Sequence, residues 1–205
     1  HSHHAEDNEA KAIAFFQKMA KKYGKHPNII YEIYNEPLKI SWDNIIKPYS
    51  ERIIAAIRKI DKDNLIIVGT STWSQDVDVA SRNPIRGYKN IAYTLHFYAG
   101  THKTGLRKKA KIAMDNGIAI MVTEWGTVNA NGDGAPNADS VKEWMNFMKK
   151  NNLSHCNWAV DDKKEGASIV YPGTDPKGDW KESELTPSGK LTKFYVKNWD
   201  KLNSF

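Results

Sequence analysis

The sequence predicts an α/β fold of the (β/α)8 (TIM) barrel type, and three observations over its 205 residues select that class. Strand-length apolar runs alternate with amphipathic helical stretches throughout, which means parallel strands joined by crossover helices. No Gly-rich phosphate loop follows any strand, which removes the main argument for a nucleotide-binding doubly wound sheet. Polar or aromatic residues close four strands at the same end: Glu36, His96 with Tyr98, Glu124, and Trp158. Groups gathered at the carboxyl ends of several strands mark a barrel.

Ala10, Ile13, Ala14, Phe16 and Ala20 recur at helical spacing, so a first helix starts at Asp7 or Asn8 and stops at Gly24. Residues 29–36, IIYEIYNE, read as a strand that Pro37 ends, because proline has no N–H for the ladder. Glu36 is then held at a strand terminus between an amide and a rigid turn. Ser41 caps the next helix, whose inner face is Ile46, Tyr49, Ile53, Ile54, Ile57 and Ile60, with Pro48 near its first turn. A short apolar strand at 65–68 closes on Gly69, and a polar loop runs on through Trp73. A strand at 91–98, a basic helix at 106–114 and a strand at 118–124 follow. Helix 139–150 turns Val141, Trp144, Met145 and Met148 inward, and a last strand spans 155–160. After a polar loop at 161–184, Thr186 and Pro187 open a closing helix with Leu191, Phe194, Tyr195 and Val196 inside.

The length suits one domain over 1–205. Lys and Arg exceed Asp and Glu by 30 to 24, but Lys21, Lys22, Lys108, Lys109, Lys149 and Lys150 lie on separate solvated helix faces. Without a basic stripe, a nucleic-acid partner is not expected. Cys156 is the single cysteine; inside an apolar stretch it reads as a small core residue. No run of about 18 apolar residues exists to span a membrane. His1, His3 and His4 lack the i, i+4 pairing of a zinc motif, and the oxygen-rich loop at 129–139 lacks the spacing of a calcium loop. No metal or cofactor is expected.

Alternate strand residues face the same way, so Glu36 shares a face with Tyr34 and Glu32, His96 with Tyr98, and Trp158 with Cys156. With those faces inward, two carboxylates, an imidazole, a phenol and an indole meet at one mouth. Two carboxylates can divide the labour of glycoside hydrolysis, one protonating the leaving oxygen while the other attacks or activates water. Tryptophans offer flat apolar faces to sugar rings. Glu32, deeper in its strand, is expected to make a satisfied buried hydrogen bond.

The stretches YEIYNEPL, TLHFYAG, VTEWGT, HCNWAVDDKKEGAS and LTPSGK resemble, in order and spacing, glycoside hydrolase family 5, and within it bacterial endo-β-1,4-glucanases. The resemblance implies that Glu36 is the general acid/base, with Asn35 contacting the sugar's 2-hydroxyl, and that Glu124 is the nucleophile of a retaining mechanism. It implies that Tyr98 hydrogen-bonds the nucleophile, that His96 orients the acid/base or substrate, and that Trp158 is the platform beside the scissile bond. Lys163 and Glu165 match contacts to more distant sugars, Trp73 lines the cleft, and His1 matches a substrate-binding histidine that ends the third strand. Secretion and a β-glucan substrate follow from the same resemblance. Its alternatives are a related mannanase, xyloglucanase or lichenase, or a non-catalytic glucan-binding fragment.

The family's barrel starts about two and a half β/α units earlier, so the resemblance implies an incomplete barrel covering strands 4 to 8 and the last residue of strand 3. Open edges are then expected at both ends of the sheet, inviting self-association or pairing with the missing N-terminal segment, and impaired activity in the isolated chain.

Overall fold

The structure, a computed structural model, describes residues 2–205. His1, expected among the sugar contacts, lies outside the described residues. The chain forms two compact units, one running to Leu95 and including Lys108–Met121, the other His96–Arg107 with Val122–Phe205.

The first unit opens with a 3-10 turn, Ala5–Asn8, that leads into α1 (Glu9–Tyr23). After β1 (Tyr31–Glu32), a π-helical turn at Trp42–Ile46 runs into α2 (Lys47–Arg58). Next come β2 (Ile66–Val68), the short turn α3 (Ser71–Ser74) and α4 (Val77–Arg82). The strands β3 (Ile91–Tyr98) and β4 (Ile120–Gly126) and the helix α5 (Thr104–Asp115) each pass from one unit to the other. The second unit adds α6 (Ala138–Lys150), β5 (His155–Asn157) and α7 (Pro187–Asn198). Strand order is β1-β2-β3-β4-β5, with parallel pairing of β1 to β2, β2 to β3 and β4 to β5. Among the described residues, five strands in sequence order joined by helical crossovers match the β/α succession expected for strands 4 to 8 of a (β/α)8 barrel.

In the first unit, Ile46, Tyr49, Ile53, Ile54 and Ile57 are buried together with all three residues of β2. A strand buried on both faces reads as a continuous apolar run, which is why Ile66-Ile67-Val68 carries no alternation. In the second unit, Phe97 stacks on Trp144 with ring centroids 3.9 Å apart and on Trp125 at 6.0 Å. The Arg107 guanidinium lies 5.2 Å from the Trp144 ring. Phe97 and Trp125 fix β3 and β4 by their core faces, so the alternate residues His96, Tyr98 and Glu124 are directed to the other side.

Several elements differ from expectation. The strand expected at 29–36 is only Tyr31–Glu32, because its partner β2 is three residues long and the last ladder bond is Ile33 N–H to Ile67 O at 3.0 Å. Glu36 therefore lies past the strand, in irregular backbone. The last strand likewise ends at Asn157; Trp158 still donates its N–H to Trp125 O at 2.8 Å, and the Trp158–Ala159 peptide is cis. Cys156 is exposed and not core, in a three-residue strand whose other two residues are only half-buried. Glu32 accepts from the Thr94 hydroxyl at 3.2 Å but is exposed. The Ser41 and Thr186 caps form as read, to Asn44 N–H at 3.2 Å and Gly189 N–H at 3.0 Å. Asn8 makes no side-chain cap, since a 3-10 turn precedes α1. No helix among the described residues is long and apolar enough to cross a membrane.

Candidate active site

In the second unit the site is built around Glu124, on β4 and only 7% exposed. An ionised carboxylate removed from water needs compensating donors. The Tyr98 phenol supplies one, donating to Glu124 Oε1 at 2.7 Å. His96 Nδ1 stands 3.9 Å from Glu124 Oε2, and its Nε2 lies 2.9 Å from Thr123 Oγ1. The imidazole is thus oriented by a hydroxyl on one side and faces the carboxylate with the other.

The phenol's position is fixed from two directions. Tyr98 N–H donates to His102 Nδ1 at 2.8 Å, and the Trp144 indole N–H holds the His102 carbonyl at 2.8 Å. On the other side is Gly126, where an added Cβ would lie 2.3 and 2.5 Å from Tyr98 ring carbons. The glycine makes the room in which the ring lies. Sequence reading had no role for His102, Thr123 or Gly126, although a glycine directly after the aromatic neighbour of a strand-end carboxylate is a legible hint of close approach.

Lys163 and Glu165 form an ion pair at 2.5 Å, and the partner carboxylate raises the pKa of the exposed ammonium. Gly132 lies against the Glu165 carboxylate, and the 129–139 loop engages its oxygens within the protein. Asp133 accepts from Gly166 N–H at 3.2 Å and Asn137 from Ser140 N–H at 3.1 Å. Through Asp133 and the Gly132 carbonyl, which accepts from Ala167 N–H at 2.9 Å, the loop holds the 163–167 segment, while Asn137 caps α6. Trp158, just past the end of β5, is 46% exposed.

In the first unit, Asn35, Glu36 and Trp73 are brought together through the backbone. Glu36 is half-buried, and its carbonyl accepts from His3 Nδ1 at 2.8 Å. The Asn35 carbonyl accepts from the Ser74 hydroxyl at 2.7 Å, and Trp73 N–H donates to Pro37 O at 2.8 Å. The Trp73 indole is 42% exposed. Tyr34 donates to Glu6 at 2.5 Å; burial, then that carboxylate, push the phenol's pKa upward and keep it neutral. His3, read only against a zinc motif, and Ser74 make their contacts to main-chain carbonyls, which leave no residue-type signal in the sequence.

Residues 1–164 match the family model for Cellulase (glycosyl hydrolase family 5). The chain belongs to glycosyl hydrolase family 5. Among curated family members it is 59% identical over 199 residues to Endoglucanase Z of Dickeya dadantii, covering 97% of this chain and 45% of that protein. It is 54% identical over 184 residues to an endoglucanase of Clostridium saccharobutylicum, covering 89% and 41%. The chain therefore spans less than half the length of these two relatives. A solved structure from Cytophaga hutchinsonii superposes with a TM-score of 0.93 at 50% identity, over 98% of this chain and 68% of that one. The catalytic domain of the Thermobifida fusca endoglucanase Cel5A, also solved as a Glu-to-Gln variant in complex with cellotetraose, gives 0.87 at 31% identity, over 93% and 64%.

Proposed function

We propose that this chain carries the catalytic carboxylates of a secreted, retaining endo-β-1,4-glucanase acting on internal bonds of cellulose. Glu124 attacks the anomeric carbon while Glu36 gives its proton to the departing glycosidic oxygen, leaving a glycosyl-enzyme ester. Glu36, now ionised, takes a proton from water as that water attacks the same carbon; the Glu124 carboxylate leaves and the configuration is retained. Asn35 contacts the 2-hydroxyl, Trp158 carries the sugar beside the scissile bond, and Trp73, Lys163 and Glu165 contact sugars farther along the cleft. His96 and Tyr98 hold the nucleophile's surroundings. The observation that carries this reading is the Tyr98 phenol donating at 2.7 Å to a buried carboxylate, an arrangement that orients Glu124. The family's endoglucanases and the cellotetraose complex support the substrate class.

Reducing-end release from carboxymethylcellulose by the parent chain, Glu36→Gln and Glu124→Gln tests the assignment. Loss in both variants is expected, and equal activity in all three refutes it.

The same reading gives the chain a partner. Among the described residues β1 and β5 end the strand order, each with one neighbour. Beside β1 lies a cavity of 510 Å³ lined by Phe15, Phe16, Ile33 and Tyr49, with Phe15 and Ile30 exposed nearby. The apolar surface flanking β1 recruits further strands, from a second copy or from another barrel segment, and glucan hydrolysis rises when it does. Light scattering after size exclusion tests this, a stable monomer being the contrary result.

A further inference from the structure

Glu36 lies outside the sheet, so its rigidity has to come from bonds other than a β-ladder, and the backbone carbonyls around it show where those bonds go. The Asn35 carbonyl takes the Ser74 hydroxyl at 2.7 Å, Pro37 O takes Trp73 N–H at 2.8 Å, and Leu38 O takes Thr72 N–H at 3.1 Å. Ile40 O takes the Ser71 hydroxyl at 2.7 Å. Four carbonyls flanking Glu36 are thus bound by four consecutive residues, those of α3.

These residues adopt an uncommon backbone. Thr72 (φ 59°, ψ 56°), Trp73 (φ 54°, ψ 49°) and Ser74 (φ 56°) are all left-handed, and none is glycine. L-residues resist that region, one of them β-branched at Cβ, and a run of three persists only where surrounding contacts over-determine it. The left-handed winding is what directs successive N–H groups and hydroxyls at the 35–40 segment. It is braced from behind: the Thr72 hydroxyl donates to Asp76 at 2.6 Å, and Lys109 pairs with the other oxygen of that carboxylate at 2.6 Å. At Gly69 a Cβ would lie 2.3 Å from Tyr34 O, so the approach of the two segments requires glycine there.

We propose that α3 is the positioning device of the acid/base, with Ser74 as the positioning residue that fixes the Glu36 segment. This rests on the assignment of Glu36 above. A left-handed turn also explains why Trp73 is displayed outward while its own N–H is held inward.

The test compares the parent chain, Glu36→Gln and Ser74→Ala by kcat/KM on two substrates. One is cellotetraose, whose leaving sugar must be protonated; the other is a dinitrophenyl β-cellobioside, whose leaving group departs without a proton. Ser74→Ala deletes the hydroxyl's bond to Asn35 O and the bond it accepts from Thr70 N–H, and is expected to lower kcat/KM on the oligosaccharide by about tenfold while leaving the aryl substrate within about twofold. A purely structural role would lower both alike. If Glu36→Gln shows no such split, the assignment of Glu36 fails; if it splits and Ser74→Ala does not, the positioning role is overturned. Amide hydrogen exchange decides independently of turnover. Exchange at Thr72 and Trp73 should accelerate by about tenfold in Ser74→Ala without loss of the global melt. Unchanged exchange at both amides overturns the proposal, and a variant that fails to fold is replaced by Ser74→Gly, which deletes the hydroxyl and relaxes the backbone.

Discussion

Tyr98→Phe removes one oxygen from the site and nothing else. The ring remains packed between Gly126 and the Val128 and Ala167 side chains, so the fold should melt close to the parent. What disappears is the 2.7 Å hydrogen bond to Glu124. Hydrogen bonds to a charged partner contribute about 1.5–3 kcal/mol. If that support is realised as the carboxylate attacks, the loss corresponds to about 10- to 150-fold in rate. The assay is covalent labelling by a 2-fluoro cellobioside with a dinitrophenolate leaving group, followed by intact mass. It reports the first displacement alone and detects a slow enzyme. A labelling rate within about twofold of the parent, in a variant that melts normally, would refute the idea that the phenol supports the nucleophile.

Gly126→Ala should destabilise by about 1–3 kcal/mol in urea unfolding, because its Cβ meets the Tyr98 ring at 2.3 Å. In a Tyr98→Leu background the cost should shrink, and a strictly additive double-mutant cycle would contradict the contact. Asp61 is buried and accepts from the Tyr31 phenol at 2.7 Å and from Asp63 and Asn64 N–H groups; burial alone would raise its pKa, but these bonds outweigh it and hold it low. Its contribution is present above the ordinary carboxylate range and is lost as pH falls through the depressed folded value. Asp61→Asn should therefore cost about 1–3 kcal/mol near neutrality and less in acid, as measured by urea midpoints across pH. Lys163→Ala should leave the melting temperature unchanged, because the Lys163–Glu165 pair is exposed at the lysine, and weaken cellotetraose binding by calorimetry.

The succession of elements was legible because strong periodicity and caps marked it: β3 begins and ends where the sequence placed it, and Ser41 and Thr186 cap as expected. The carboxylate–phenol pair of Glu124 and Tyr98 was legible from strand parity and motif. The end of β1 was not, because apolar character continues through Ile33 and Tyr34 after the ladder partner has run out. Parity could not place Glu36 once the strand had ended. The left-handed turn at Thr72–Ser74 was invisible for a related reason: nothing in the residues Thr, Trp and Ser announces positive φ, and tertiary carbonyls impose it. Cys156 was misread as core because an apolar stretch does not say which of its faces is covered.

Glu124 is the proposed nucleophile. Proteolysis and mass mapping of the chain after reaction with the 2-fluoro cellobioside tests it most directly. One cellobiosyl ester is expected, on the peptide bearing Glu124 and absent from Glu124→Gln. A label on another carboxylate, or products of inverted configuration by proton NMR, would contradict it.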